Sequence, residues 1–158
     1  MKARNLDQET TLVSGSLFSG GGVGDVGIEW GVGIPVLAAC ELVPSRAALI
    51  RGNFPETKVF DGDVWTLQQD YVDYFRSKLK GRRPWLLTLS PPCQGMSSNG
   101  AGRISASIRS GKRPREDERN RLILPGINVL EQLQPDWFVL ENVRRMENTI
   151  IRNERDQP

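Results

Sequence analysis

Residues 85–95 read Trp85-Leu86-Leu87-Thr88-Leu89-Ser90-Pro91-Pro92-Cys93-Gln94-Gly95. The short apolar run 85–89 predicts a buried strand. Pro91-Pro92 ends it, because proline has no N–H to give to a central sheet ladder. Cys93 therefore sits on a stiff turn just past a strand end. It is one of only two cysteines in the chain, with Cys40. A thiol held in that place is a candidate nucleophile.

Working outward, the same grammar repeats. Residues 12–18 form a first candidate strand, 35–40 a second, 58–60 a third and 137–140 a fifth. Helical patterns separate them. Val23, Val26 and Trp30 suggest a short helix, weakened by glycines. Residues 44–53 follow, with Pro44 at a first-turn position and Ala47, Ile50 and Phe54 on one face. The segment 65–79 carries Leu67, Val72, Phe75 and Leu79, and 119–133 carries Leu122, Leu130 and Leu133. In this last helix Pro125-Gly126 is expected to break or kink the axis. Strand and helix alternate through five strands, which predicts an α/β fold. Its form is a Rossmann-like, doubly wound, mainly parallel sheet with helices on both faces. Residues 1–11 read as a polar lead-in, 12–146 as the domain and 147–158 as a polar tail or the start of a continuation.

In such sheets ligands bind beyond the carboxyl ends of the strands. The chemistry-bearing residues gather there. A glycine-rich loop follows strand one, Glu41 strand two, Asp63 strand three, Cys93 strand four and Glu141 strand five. Eight of the sixteen glycines lie between Gly15 and Gly33. Gly22-Val23-Gly24-Asp25-Val26-Gly27 fits a dinucleotide fingerprint, although a lone match is weak evidence and a turn shaped for packing is the alternative. Glu41 and Asp63 taken singly are ordinary surface carboxylates. On successive strand ends they suit the ribose and the adenine amino group of a nucleoside cofactor. Cys93 alone would be a small buried hydrophobe, and Glu141 a plain strand-end acid. On neighbouring strands they make a nucleophile and acid pair.

Composition narrows the chemistry. The 158 residues suffice for one domain with a core. Mean hydropathy is −0.40, and no apolar run has the length of a membrane span. The N-terminus has no signal-peptide core, so a cytoplasmic address is expected, or a nuclear one in a eukaryote. There is no histidine. That excludes Cys-His and Ser-His-Asp hydrolysis and His-ligated zinc, and no metal site is expected. Two cysteines make no disulfide framework, and a Cys40–Cys93 bridge is disfavoured in a reducing cytosol. Net charge is only +2. Its distribution says more: residues 94–121 read as a long loop with seven Lys or Arg, including Arg103 and Arg109. Such a loop is either solvated or closes over a phosphate backbone.

Ser90-Pro91-Pro92-Cys93-Gln94-Gly95-Met96-Ser97, together with Glu141-Asn142-Val143, resembles the cytosine-5 DNA methyltransferases. Leu17-Phe18-Ser19-Gly20-Gly21-Gly22 looks like that family's S-adenosyl-L-methionine block. Glu41 and Gly62-Asp63-Val64 look like its next two cofactor blocks, and Arg119-Asn120-Arg121-Leu122 like the block opening the following helix. The likeness runs over about residues 12–146. It implies a cofactor pocket built from Phe18, Ser19, Gly20, Gly22, Glu41, Leu42, Asp63, Val64, Pro91 and Leu122. It implies that Cys93 attacks C6 of a cytosine flipped out of double-stranded DNA, with Glu141 holding the ring. Gln94, Ser97 and Arg103 would meet the DNA.

Five positions depart from the family pattern. Ser16 stands where an acid is common, Val23 and Leu89-Ser90 where glycine is common, and Met96 where an aromatic is common. None removes a group the chemistry needs. A larger departure is that the family's later Arg-rich block, target-recognition region and terminal helix do not follow Glu141-Asn142-Val143. The resemblance therefore implies the N-terminal catalytic part of a longer enzyme, or one subunit working with a second polypeptide. An RNA-directed relative, a non-catalytic cofactor-binding fragment and a nicotinamide-binding Rossmann domain using Gly22, Gly24 and Gly27 are the competing readings.

Overall fold

A computed structural model describes residues 12–93, 109–111, 118–144 and 146 of the chain. Its centre is a five-stranded, wholly parallel sheet: β1 (Ser14–Leu17), β2 (Val36–Glu41), β3 (Lys58–Asp61), β4 (Leu86–Leu89) and β5 (Trp137–Leu140). The strands lie in the order β3-β2-β1-β4-β5. The chain moves outward one way through β3, then returns to the centre and moves out the other way. The point of reversal lies between β1 and β4, so a cleft opens there at the carboxyl ends.

The helices are α1 (Val23–Val26), α2 (Pro44–Asn53), α3 (Val64–Leu79) and α4 (Ile123–Leu133). α1 runs on as a wide turn over Gly27–Val32, and a tight turn over Glu118–Leu122 leads into α4. Strand alternation sorts β2 between two cores. Ala38 and Cys40 face the larger one, with Tyr71, Val72 and Phe75 of α3 and Val129 and Leu133 of α4. Ala39 faces the smaller one, with Ile50 and Phe54. Helices thus cover both faces, as the alternating pattern requires. The one-face set Ala47, Ile50 and Phe54 is buried as its spacing predicts.

Pro125 and Gly126 do not break α4, contrary to the expectation from sequence. Pro125 is the third residue of the helix, where an N–H has no partner within the helix to lose. Gly126 lies against β4. A Cβ there would come within 2.7 Å of Leu89 Cδ2, so glycine is the residue that lets the helix approach the strand.

β5 is different. Trp137, Phe138, Val139 and Leu140 are 65, 59, 52 and 41% exposed. Among the described residues they pair with β4 alone, at the end of the strand order. Among the described residues no helix is long and apolar enough to cross a membrane.

Candidate active site

β1 ends in a strained turn. Phe18 has φ 58°, a left-handed conformation that costs energy for a bulky side chain. Gly20 and Gly22 follow with φ 60° and 80°, where glycine carries no such cost. Ser19 N–H donates to Cys40 O at 3.1 Å, and Gly22 N–H to Ser19 O at 3.0 Å. The turn is fastened to β2 chiefly through Glu41. One carboxylate oxygen accepts from Gly20 N–H at 2.7 Å, the other from Val43 N–H at 2.8 Å. A carboxylate offers about four lone-pair sites, so Glu41 can hold the turn and still meet a ligand's hydroxyls.

Asp63 does two jobs as well. Its Oδ1 accepts from Trp65 N–H at 2.9 Å and caps α3. Its other oxygen is uninvolved in the cap.

On the far side, β4 delivers the Pro91-Pro92-Cys93 turn and β5 delivers Glu141. Leu89 lies opposite Leu140, and Glu141 N–H donates to Leu89 O at 2.9 Å. Asn142 then reaches across, its Nδ2 donating to Pro91 O at 3.0 Å, while its Oδ1 accepts from Val143 N–H at 2.8 Å. Asn142 thus clamps the two strand-end turns that carry thiol and carboxylate.

These elements enclose one cavity of about 470 Å³. Phe18, Glu41, Leu42, Asp63, Val64, Pro91 and Leu122 line it, together with Cys93 and Glu141. The sequence-predicted cofactor residues and both catalytic candidates are therefore brought to the same space. Ser19, Gly20 and Gly22 do not line the wall. Gly22 packs on α2, where a Cβ would lie 2.9 Å from Phe54 Cε2, whereas a Cβ on Gly20 would meet open space. Gln94, Ser97 and Arg103 lie outside the described residues.

Sequence reasoning missed three contributors. Asn142 stood inside a quoted motif without a role. Arg46, from the first turn of α2, lines the cavity near the two cofactor-side acids. Its only sequence signal was its place one turn beyond a strand end. Cys40 also reaches the wall, but it is no nucleophile. Burial, then the neighbouring Glu41 and Asp63, push its thiol up to about 12. Among the described residues no group of three or more His, Cys, Asp or Glu is placed to hold a metal.

The geometry suits a nucleoside cofactor. Apolar Phe18, Leu42, Val64 and Leu122 share the wall with two carboxylates that keep free lone pairs, and the volume falls in the range of small-molecule sites. Comparison with known proteins gives that likeness a name. Residues 13–157 match the family described as C-5 cytosine-specific DNA methylase. The chain belongs to that family. The Type II methyltransferase M1.HgaI of Avibacterium volantium is 34% identical over 128 residues, covering 81% of this chain and 33% of that protein. The Type II methyltransferase M.AquIA of a Picosynechococcus strain is 32% identical, covering 84% of this chain and 49% of its own length. A tRNA (cytosine(38)-C(5))-methyltransferase of Spodoptera frugiperda is 27% identical over 139 residues, covering 87% of this chain and 37% of its own length.

Among solved structures, a prophage-encoded E. coli chain described as a DNA modification methyltransferase superimposes with a TM-score of 0.65. It is 26% identical, over 86% of this chain and 33% of that one. The S. pombe Dnmt2 methyltransferase shares the fold, with a TM-score of 0.58 at 21% identity over 87% of this chain and 38% of that one. The chain spans about a third of the length of the first two curated relatives, M1.HgaI and the Type II methyltransferase M1.HphI of Haemophilus parahaemolyticus.

Proposed function

We propose that the chain is the cofactor-binding and catalytic part of a cytosine-C5 methyltransferase acting on double-stranded DNA. The observation that carries this is the convergence of Cys93 and Glu141 with Glu41 and Asp63 on one cavity at the sheet's reversal point. S-adenosyl-L-methionine is the methyl donor used by this family and its structural neighbours. When bound, it supplies an electrophilic methyl group.

The chain's residues do the rest. Glu41 and Asp63 hold ribose and adenine, with Phe18, Leu42, Val64, Pro91 and Leu122 packed around them. Ser19, Gly20 and Gly22 shape the turn behind. Cys93 as thiolate adds to C6 of an extruded cytosine. Glu141 hydrogen-bonds N3 and the exocyclic amine, which draws electron density from C6. Addition makes C5 nucleophilic, and C5 would take the methyl as its bond to the donor's sulfonium breaks, leaving a neutral thioether. Loss of the C5 proton to a base then re-forms the C5–C6 double bond and expels Cys93. No step needs histidine. Asn142 keeps thiol and carboxylate in register.

The domain comprises residues 12–146, with 1–11 as lead-in and 147–158 leading out. Gln94, Ser97 and Arg103 meet the DNA. Target recognition and closure come from further blocks, in a longer polypeptide or a second subunit, and the apolar side chains of β5, exposed among the described residues, are a surface they would cover. The relatives named Type II methyltransferases favour a restriction–modification setting and a cytoplasmic location. The tRNA-directed relative makes RNA the second substrate to test.

The 158-residue chain alone is expected to transfer no methyl group to duplex DNA. Added or fused recognition blocks should restore transfer, and Cys93→Ala should abolish it again. Transfer by the chain alone, or transfer that survives Cys93→Ala, would contradict the proposal. Transfer to tRNA but not DNA would move the substrate.

A further inference from the structure

Asp25 takes no part in the chemistry above, yet it is 2% exposed on the inner side of α1. It begins a line of polar side chains that ends on the backbone of β2. Asp25 Oδ2 and Ser16 Oγ are 3.1 Å apart, Ser16 Oγ and Ser19 Oγ 2.7 Å, and Ser19 Oγ and Cys40 O 3.2 Å. Three contacts in hydrogen-bond range require three hydrogens. The two serine hydroxyls supply two, and Cys40 O supplies none. With Asp25 ionised, Ser16 must donate to it, and Ser19 must then choose between Ser16 Oγ and Cys40 O. With Asp25 protonated, each group donates to the next: Asp25 to Ser16, Ser16 to Ser19, Ser19 to Cys40 O. Only that arrangement satisfies the whole line.

We propose that Asp25 is a positioning residue that latches the cofactor turn as a hydrogen donor, so that its protonation tightens S-adenosyl-L-methionine binding. The line passes through Ser19, between strained Phe18 and Gly20, whose N–H donates to Glu41. A complete line fixes the turn that presents Phe18 to the cavity and orients Glu41.

The surroundings favour the proton. Burial, opposed by the Ser16 hydrogen bond and aided by Glu29, raises the Asp25 carboxyl to about 6. The ionisable groups facing it are Glu29, on the wide turn after α1, and the buried Tyr71 hydroxyl of α3, which donates toward Ser16 O at 3.4 Å and Ala38 O at 3.3 Å. Glu29 Oε2 already accepts from Val36 N–H at 3.0 Å, which holds its charge near. The sign follows: the latch is complete below about pH 6 and loosens as pH rises through that value. One neutral hydrogen bond corresponds to about a two- to tenfold change in affinity.

The inference rests on the cofactor reading above, so two readouts are needed. Calorimetric titration of S-adenosyl-L-methionine from pH 5 to 8 should show affinity falling by about that factor. In Asp25→Asn the amide donates permanently to Ser16 Oγ, and affinity should stay flat near the low-pH value. A flat wild-type profile, or an Asp25→Asn profile as steep as wild type, overturns the latch. Independently of any ligand, the Asp25 carboxyl carbon followed by NMR should titrate with a midpoint near 6, with faster Gly20 amide exchange above it. A midpoint at an ordinary carboxylate value near 3.9 overturns the latch even if no cofactor binds. Absence of cofactor binding at every pH, with that midpoint still near 6, counts against the methyltransferase reading and overturns the effect on affinity, while the protonated hydrogen-bond line itself stands.

Discussion

The two cysteines of this chain occupy opposite chemical situations. Cys93 lies on the turn beyond Pro91-Pro92 and is half-buried at the cavity. Cys40 lies inside β2, and burial together with Glu41 and Asp63 pushes its thiol up to about 12. Since thiolate is the reactive form, a thiol in that state is inert at neutral pH. Iodoacetamide at pH 8 should therefore modify Cys93 and spare Cys40, as read by peptide mass spectrometry. Modification of Cys40 first, in folded protein, would contradict the assignment. The same contrast shows what one residue's sequence can tell. Two prolines before Cys93 marked it, whereas next to Cys40 only Glu41 could be read, since Asp63 comes from the end of another strand. Asp25 was hidden for the same reason: its partners Ser16 and Ser19 lie on the far side of a turn. Phe18 was named from its motif, but its positive φ is invisible in a list of residues.

At the level of elements, apolar runs and turn residues defined the strands to within a residue or two. β4 stops at Leu89 because Pro91-Pro92 follows, and α2 starts at Pro44 because proline suits a first turn. Pro125-Gly126 misled because the helix begins later than its pattern suggested, which turns an interior proline into a first-turn one. Glycine gave the weakest guidance. Gly22 reads as a phosphate or cofactor glycine, and the structure adds a packing demand that the motif does not show. Its φ is 80°, and Phe54 Cε2 stands 2.9 Å from where a Cβ would go. Gly22→Ala is expected to destabilise the chain by about 1–3 kcal/mol through strain and overpacking, measured by urea denaturation. Gly24→Ala, which has open space at its Cβ, should cost less. Equal losses would mean that contact with α2 is not what fixes the turn.

For the whole molecule, the described residues bury the centre of the sheet far more than β5. β1 and β2 are buried on both faces, as parallel strands require. Among the described residues, β5 carries four consecutive exposed apolar side chains beside β4, a composition that belongs inside a sheet. The cofactor half of the site rests on the ends of β1, β2 and β3. Glu141, by contrast, follows the exposed β5. This division separates two capacities: holding the cofactor and performing transfer on DNA. The first should belong to the chain by itself. It is tested most directly by titrating the purified chain with S-adenosyl-L-methionine and, separately, with NAD in a calorimeter. The account predicts saturable one-to-one binding of S-adenosyl-L-methionine that is lost in Glu41→Ala, and no heat from NAD. Binding of NAD, or S-adenosyl-L-methionine binding unaffected by Glu41→Ala, would contradict it.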